Sequence, residues 1–175
     1  MNTSFNILSP KNFEAMSVDE RREFIENYMT SHFLGKSFYC PALGKQVRIT
    51  MNSIKETASH ASKKVESVHM TLNLPYVIEN ACLVYKSDPK SGVQTKKFKA
   101  IKTLVLFTLF SIGSPVAKLT IVEKANNYYV EYCITAQENF ATKMLQNAFS
   151  KLDGELVLIQ KRHLKLAKEK HSRQS

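Results

Sequence analysis

The residues of this chain best suited to chemistry on an anionic ligand are its histidines and lysines. His60 lies within SIKETASHASKKVESVH, residues 53–69, four positions after Glu56 and four before Lys64. Side chains at this spacing occupy neighbouring turns of one helix. An imidazole changes charge near neutral pH and suits proton transfer, and an ammonium group suits the binding of phosphate. His60 and Lys64 are therefore the first candidates for a catalytic site.

The position of His60 allows two interpretations. Apolar residues recur through the same stretch at steps of three and four, which predicts one helix with a continuous apolar face. His60 lies to the side of that face, so it is not a core residue. It is either an exposed histidine with a weak Glu56 partner or a general acid and base at the edge of a sheet. The apolar face consists of Ile54, Ala58, Ala61, Val65, Val68 and Leu72.

Patterns for most other enzyme classes are missing. The five histidines include no pair at metal-ligand spacing and no acidic cluster accompanies them, so we predict no metal and no cofactor. No glycine-rich phosphate loop is present. Cys40, Cys82 and Cys133 fall in or beside apolar runs, which indicates buried thiols in a reducing compartment. Metal-free cleavage of RNA stays open, because the ribose 2′-OH is an internal nucleophile that needs only an acid–base pair and cations.

The charge of the chain favours an anionic partner. Of the formal net charge of +10, residues 86–102 and residues 161–175 carry +5 each. Such an excess favours nucleic acid, an anionic membrane or an acidic protein, although a lysine-rich soluble surface is an equally valid interpretation. The segment KKFK places an aromatic ring among lysines, a combination that binds single-stranded RNA. We predict nucleic-acid contacts at Lys97, Lys99, Lys102 and Tyr132.

The sequence predicts no membrane segment and no secretory signal. The most apolar run, TLVLFTLFSIG, is much shorter than the ~20 residues that span a bilayer. The start, MNTSFNILSPKNFEAM, has no charged region followed by an apolar one. We therefore expect a soluble, cytoplasmic protein without a membrane partner.

The elements that must position these residues are helices followed by strands. SVDE, residues 17–20, is a capping box that predicts a helix ending near Gly35. Residues 36–50 predict two short strands, SIKE predicts the start of the helix with His60, and residues 73–80 predict a short helix. Three strands then run from KKFK to YYVEYCIT. The fold class is α+β: N-terminal helices, then an antiparallel sheet of a three-stranded meander and a short strand pair, packed against one main helix, with a C-terminal helical tail.

From about residue 35 to residue 135 the order of elements resembles the phage- and mobile-element-associated domains of the barnase, EndoU, colicin E5/D and RelE-like nuclease fold. The segments that carry the resemblance are VRITMNSIKE, TASHAS, LPYVIENA, LVLF, AKLTIVEK and YYVEYCIT. Domains of this layout are often found within large polyvalent phage proteins. Together with the helical patterns on either side of it, the resemblance predicts three regions: a helical N-terminal segment (1–34), an α+β nuclease-like domain (35–136) and a helical, basic C-terminal extension (137–175).

The resemblance implies a metal-independent RNase-like domain. Its helix histidine would be His60, its polar residue at the close of the last strand would be Thr135, and Lys64 and Lys102 would hold phosphate. The chain departs from active members, which commonly show a second histidine or an arginine near the first, where this helix offers lysines and the distant His69. The alternative is therefore a non-catalytic module of the same fold that binds nucleic acid, a protein partner or an inhibitor. A third interpretation is an accessory protein of a mobile element with no nucleic-acid role.

Overall fold

The computed structural model describes residues 11–90, 92–108, 115–125 and 128–137, with side chains from residue 13 onward. The predicted C-terminal helical tail lies outside these residues, apart from Gln137. The helices are α1 (Lys11–Glu14), α2 (Val18–His32), α3 (Met51–Ala61), α4 (Val65–Leu72) and α5 (Leu74–Glu79). The strands are β1 (Ser37–Cys40), β2 (Lys45–Arg48), β3 (Cys82–Ser87), β4 (Lys102–Thr108), β5 (Val116–Lys124) and β6 (Tyr128–Gln137).

The six strands of the described ranges form one mixed sheet in the order β1-β2-β6-β5-β4-β3. The strands from β3 to β6 are antiparallel neighbours, and β1 pairs with β2 antiparallel. β2 joins β6 in parallel, through the pairs Val47–Tyr129 and Arg48–Val130. The α+β class is confirmed, but the prediction of a purely antiparallel sheet is wrong at this junction. A parallel pair needs a long connection, and here α3 to α5 and the strands β3 to β5 supply it.

A hydrophobic core lies between the helices and the sheet. Ile25 and Met29 of α2, Ile54 and Ala58 of α3, and Leu119 of β5 are all fully buried in it. α3 packs on β6 and also on α2. The helix with His60 therefore covers the sheet, as its apolar face predicts. α2 belongs to the same core, and the division of the chain at residue 34 stays a prediction.

The capping box predicted at residues 17–20 is confirmed at the start of α2. The side chain of Ser17 accepts from the Glu20 amide at 3.2 Å, and Glu20 Oε2 accepts from the Ser17 amide at 2.7 Å. These two bonds satisfy amides that have no partner inside the helix. After α2 the chain turns at Gly35, whose φ of +76° favours glycine.

The single helix predicted over residues 53–72 is in fact two helices. α3 ends at Ala61, and α4 begins at Val65 with Lys64 as its N-cap residue. The start also differs, because the capping box is formed by Thr50 and Ser53 instead of Ser53 and Glu56. Apolar residues keep the same three- and four-residue steps across the break, so periodicity did not reveal it.

The opposite face of the sheet carries a smaller cluster beneath residues 92–101, which we call the basic loop. Phe98, only 3% exposed, packs there against Val122 and Val130. The loop begins with a π-helical turn, Val93–Lys97. The strand predicted from KKFK onward therefore starts only at Lys102.

A buried glutamine fixes the shape of the basic loop. Gln94 Oε1 accepts a hydrogen bond from the Lys90 amide at 2.8 Å and one from Thr103 Oγ1 at 3.0 Å. The Gln94 carbonyl accepts from the Ala100 amide at 2.9 Å. These bonds tie the start of the loop to its end and to β4. Among the helices described here, none has the length and apolar character needed to cross a membrane.

Candidate functional site

α3 places a carboxylate and an imidazole one turn apart at the protein surface. The Glu56 side chain is 15% exposed and the His60 side chain is 44% exposed. Glu56 Oε2 lies 3.9 Å from His60 Nε2. The prediction that His60 is not a core residue is confirmed, and its described ion-pair partner is the predicted Glu56.

The basic loop brings a cation to the same carboxylate. Lys97 Nζ lies 2.9 Å from Glu56 Oε1. Glu56 therefore bridges His60 on its own helix and Lys97 on the loop across the sheet. We call these three residues the Glu56 cluster. It combines a carboxylate, an imidazole and an ammonium group at a solvent-accessible surface, which is the set of groups that metal-free cleavage of RNA requires.

Packing beneath the loop holds Lys97 near α3. The residue that follows it, Phe98, meets the ring of Tyr132 edge-on, with 5.1 Å between ring centroids. Lys99 then adopts a φ of +52°, a left-handed conformation that residues other than glycine rarely take. The buried ring and this backbone turn together define the path of the loop around Lys97.

The structure does not bring together all the residues predicted to act on RNA. Lys102 Nζ lies 2.6 Å from Asp88 Oδ1, and this hydrogen bond lowers the pKa of the Asp88 carboxyl. In the sheet Lys102 pairs with Glu123, whereas Thr135 pairs with Lys118 five residues earlier on β5. Five residues of a strand correspond to roughly 17 Å. Lys102 and Thr135 are thus well separated and belong to different ends of the strands.

Three further predicted residues lie around α3 and the loop. Lys64 is exposed and belongs to the start of α4, so it is not on the same helix as His60. Lys99 is exposed on the basic loop. Tyr132 is partly buried against Phe98, so packing uses part of the ring that a base would need.

Sequence analysis missed a buried acid beneath α3. Glu131 of β6 is fully buried, and its Oε1 accepts a hydrogen bond from Thr57 Oγ1 at 2.8 Å. Burial raises the pKa of the Glu131 carboxyl to about 8, and the Thr57 hydrogen bond opposes that shift. The carboxyl is therefore largely neutral at pH 7. The available signal was the single acid in YYVEYCIT, but a shift in the β5–β6 register nearby obscures which face it occupies.

The cysteines carry no sign of nucleophilic activation. Cys40, Cys82 and Cys133 are free thiols, and burial is the main cause that raises the pKa of each. At Cys133 the nearby charges of Glu131 and Glu56 raise it further. A thiol that stays protonated is a poor nucleophile. Within the described ranges, no three or more histidine, cysteine or acidic residues assemble into a metal site.

Comparison with known protein families decides the membership of this chain. A model of the family described as large polyvalent protein-associated domain 3 matches residues 16–130. The chain belongs to this family. The matched region of large polyvalent protein-associated domain 3 contains the whole Glu56 cluster and ends one residue before Glu131. Membership of this family agrees with the expected association with polyvalent phage proteins. No curated protein and no solved structure matches the chain.

Proposed function

We propose that this domain binds RNA through its basic loop and cleaves it without a metal, using the Glu56 cluster. The observation that supports this function most directly is the position of Glu56. Glu56 Oε2 lies 3.9 Å from His60 Nε2, and Glu56 Oε1 lies 2.9 Å from Lys97 Nζ. Lys97 is 41 positions further along the chain than Glu56. Two separate elements thus supply a proton acceptor, a proton donor and a cation at one surface.

Each group of the cluster has a distinct role in the proposed reaction. The Glu56 carboxylate accepts the proton of the ribose 2′-OH, and that oxygen attacks the adjacent phosphorus. His60, in its protonated form, donates a proton to the 5′-oxygen that leaves. Lys97 stabilises the negative charge that builds up on the phosphate oxygens. The products are a 2′,3′-cyclic phosphate and a 5′-hydroxyl, so no metal or external nucleophile takes part.

A second function, binding of RNA without cleavage, is favoured by the ion pairs of the lysines and by the position of Thr135. Lys97 and Lys102 are already paired with Glu56 and Asp88, at 2.9 and 2.6 Å, so a bound phosphate must compete with these carboxylates. Thr135, the predicted phosphate donor, is far from Lys102 in the sheet. Under this alternative the basic loop still holds the RNA backbone, and the Glu56 cluster serves only to anchor the loop.

Incubation of the purified protein with labelled single-stranded RNA in EDTA separates the two functions. We expect cleavage, and we expect His60→Ala to reduce its rate by about 10²- to 10⁴-fold, the usual contribution of a general acid or base. His32→Ala is the matched control, because His32 is also an exposed helical histidine but lies at the end of α2. An equal loss in both variants would argue against a catalytic role for His60.

Salt dependence tests the binding surface independently of cleavage. If the wild-type protein binds RNA in a salt-sensitive manner and leaves it intact, the binding function replaces the catalytic one. Glutamine substitutions at Lys96, Lys97 and Lys99 should weaken binding at low salt and reduce its salt dependence. Unchanged affinity would remove the basic loop from the RNA interface.

A further inference from the structure

The contact between α3 and β6 contains a buried carboxyl group that the proposed reaction does not use. Glu131 Oε1 accepts a hydrogen bond from Thr57 on α3, whereas Oε2 is buried and has no hydrogen-bond partner among the described residues. Thr57 follows Glu56 directly in the sequence and precedes His60 by less than one turn. The carboxyl group is therefore tied to the segment of helix that carries both of these residues.

We propose that Glu131 is a proton-dependent latch that positions α3. In its neutral form the carboxyl group holds the helix against β6, and loss of the proton loosens this contact and the alignment of Glu56 with His60. The consequence for RNA cleavage rests on the proposed function, but the latch itself does not. Glu131 touches no reacting group and is thus a positioning residue.

The surroundings of Glu131 do not provide for a negative charge. α3 contributes the Thr57 hydroxyl, and the nearby Glu56 is itself an acid. β5 places the apolar Ile121 opposite Glu131. Within the described ranges Glu131 has one hydrogen-bond donor and no paired cation. A buried carboxylate in such surroundings is strongly disfavoured relative to the neutral acid.

Among the described residues, the charged groups of the neighbouring elements do not contribute to the pKa of the Glu131 carboxyl. The Cys133 thiol, next but one on β6, is influenced by Glu131, by Lys118 of β5 and by Lys63 after α3. On β2, Arg48 is exposed to solvent. Two effects within the described residues shift the pKa of the Glu131 carboxyl: burial raises it, and the Thr57 hydrogen bond lowers it.

The direction of the pH effect follows from proton linkage. The pKa of the Glu131 carboxyl is raised from 4.5 to about 8 in the closed structure. An opened α3 would expose the carboxyl to water and return its pKa towards the lower value. Opening therefore becomes more favourable as the pH rises, by up to about tenfold per pH unit from about 4.5 to about 8, and it levels off above that range.

Native-state hydrogen exchange of the α3 amides tests the latch directly. The full chain is compared with Glu131→Gln, in which the side chain keeps its size and a carbonyl that accepts from Thr57 but cannot ionise. Between about pH 5 and pH 8, and after correction for intrinsic exchange, α3 protection in the wild type should fall by up to about tenfold per pH unit relative to the variant. The amides of β4 and β5 should show a smaller fall in protection with pH than the α3 amides.

Parallel pH profiles of α3 protection in the wild type and in Glu131→Gln would overturn the latch. A second variant, Thr57→Val, removes the hydrogen-bond donor with little change of shape. It should lower α3 protection by roughly three- to tenfold, and unchanged protection would also count against the proposal. This variant keeps the test decisive if Glu131→Gln fails to fold.

RNA cleavage is a separate readout in the same experiment. A pH-dependent α3 without any cleavage would reject the proposed function and leave the latch in place. RNA cleavage together with parallel exchange profiles of the wild type and Glu131→Gln would reject the latch and leave the proposed function in place. If both hold, Glu131→Gln should flatten the alkaline limb of the pH–rate profile, whereas the matched exposed change Glu23→Gln on α2 should not.

Discussion

Glu56 of α3 and Glu131 of β6, which contacts α3 from below, have opposite environments. Glu56 lies at the surface, with His60 at 3.9 Å and Lys97 at 2.9 Å. Glu131 lies beneath the helix, where the described part of the chain gives it one hydroxyl donor and no cation. The same side-chain type thus has an ion-pair role on the outer side of the helix and a neutral, structural role on the inner side. Burial and partners decide the role, and residue type alone does not.

The comparison also separates stability from chemistry. Exposed ion pairs typically contribute less than about 1 kcal/mol, because water screens the charges and long side chains lose freedom. Fully buried apolar side chains contribute several times more. We therefore expect the inner side of α3 to hold the fold together, and the outer side to place charged groups with little effect on stability.

The largest expected effect belongs to the inner side. Ile54→Ala removes a fully buried side chain from the core and should reduce the free energy of unfolding by about 2–5 kcal/mol. Denaturant unfolding followed by circular dichroism measures it. The matched control is Ile101→Ala on the basic loop, where the side chain is 52% exposed, and its effect should stay within about 0.5 kcal/mol. Similar losses of stability in Ile54→Ala and Ile101→Ala would contradict the expected difference between buried and exposed positions.

A somewhat smaller effect should come from the anchor of the basic loop. Phe98→Ala empties the small cluster formed with Val122 and Val130 and should reduce the free energy of unfolding by about 3 kcal/mol, the lower end of the range for buried aromatic residues. Phe98→Leu should lose less, because it keeps most of the apolar volume. Chemical unfolding checks both variants. A loss as small as that of Ile101→Ala would show that the loop is not anchored by this ring.

The start of α3 should contribute about 1 kcal/mol. Thr50→Ala removes the side-chain oxygen that accepts from the Ser53 amide at 3.2 Å, which leaves a helix-end amide without its partner. Thr50→Ser keeps that acceptor and should restore most of the stability. Thermal unfolding of the pair gives the difference. Equal melting temperatures of the alanine and serine variants would contradict the capping role.

The smallest effect is expected for the ion pair on the outer side. A double-mutant cycle with Glu56→Gln and Lys97→Gln should give a coupling free energy of at most about 1 kcal/mol, falling as salt is added. A coupling above about 2 kcal/mol would place a major stabilising contact on the outer side. The separation of stability from chemistry would then fail.

Local signals in the sequence were sufficient for much of the fold. The capping box at Ser17 and the apolar steps through Ile54 and Ala58 depend on neighbours within one or two turns, and the structure confirms both elements. The exposed position of His60 followed from the same spacing. Each of these features is set by short-range geometry, which the order of residues records directly.

The features that sequence reasoning missed depend on distant partners. The break after Ala61 leaves the apolar steps unchanged, and the parallel β2–β6 pairing joins segments whose local patterns suit either direction. The contact of Lys97 with Glu56 requires the π-helical turn, which KKFK does not signal. The burial of Glu131 follows from packing under α3 next to an irregular register. None of these is encoded within a few residues.

The parallel pairing of β2 with β6 bears on how the chain folds during synthesis. It joins residue 47 to residue 129, which leaves the ribosome 82 positions later. Until then the apolar side of α3 has no β6 to cover it, although α2 is already made. Contacts this distant in sequence slow folding, and exposed apolar surface invites association with other chains. A nascent chain halted before β6 should therefore bind chaperones more strongly than the finished domain.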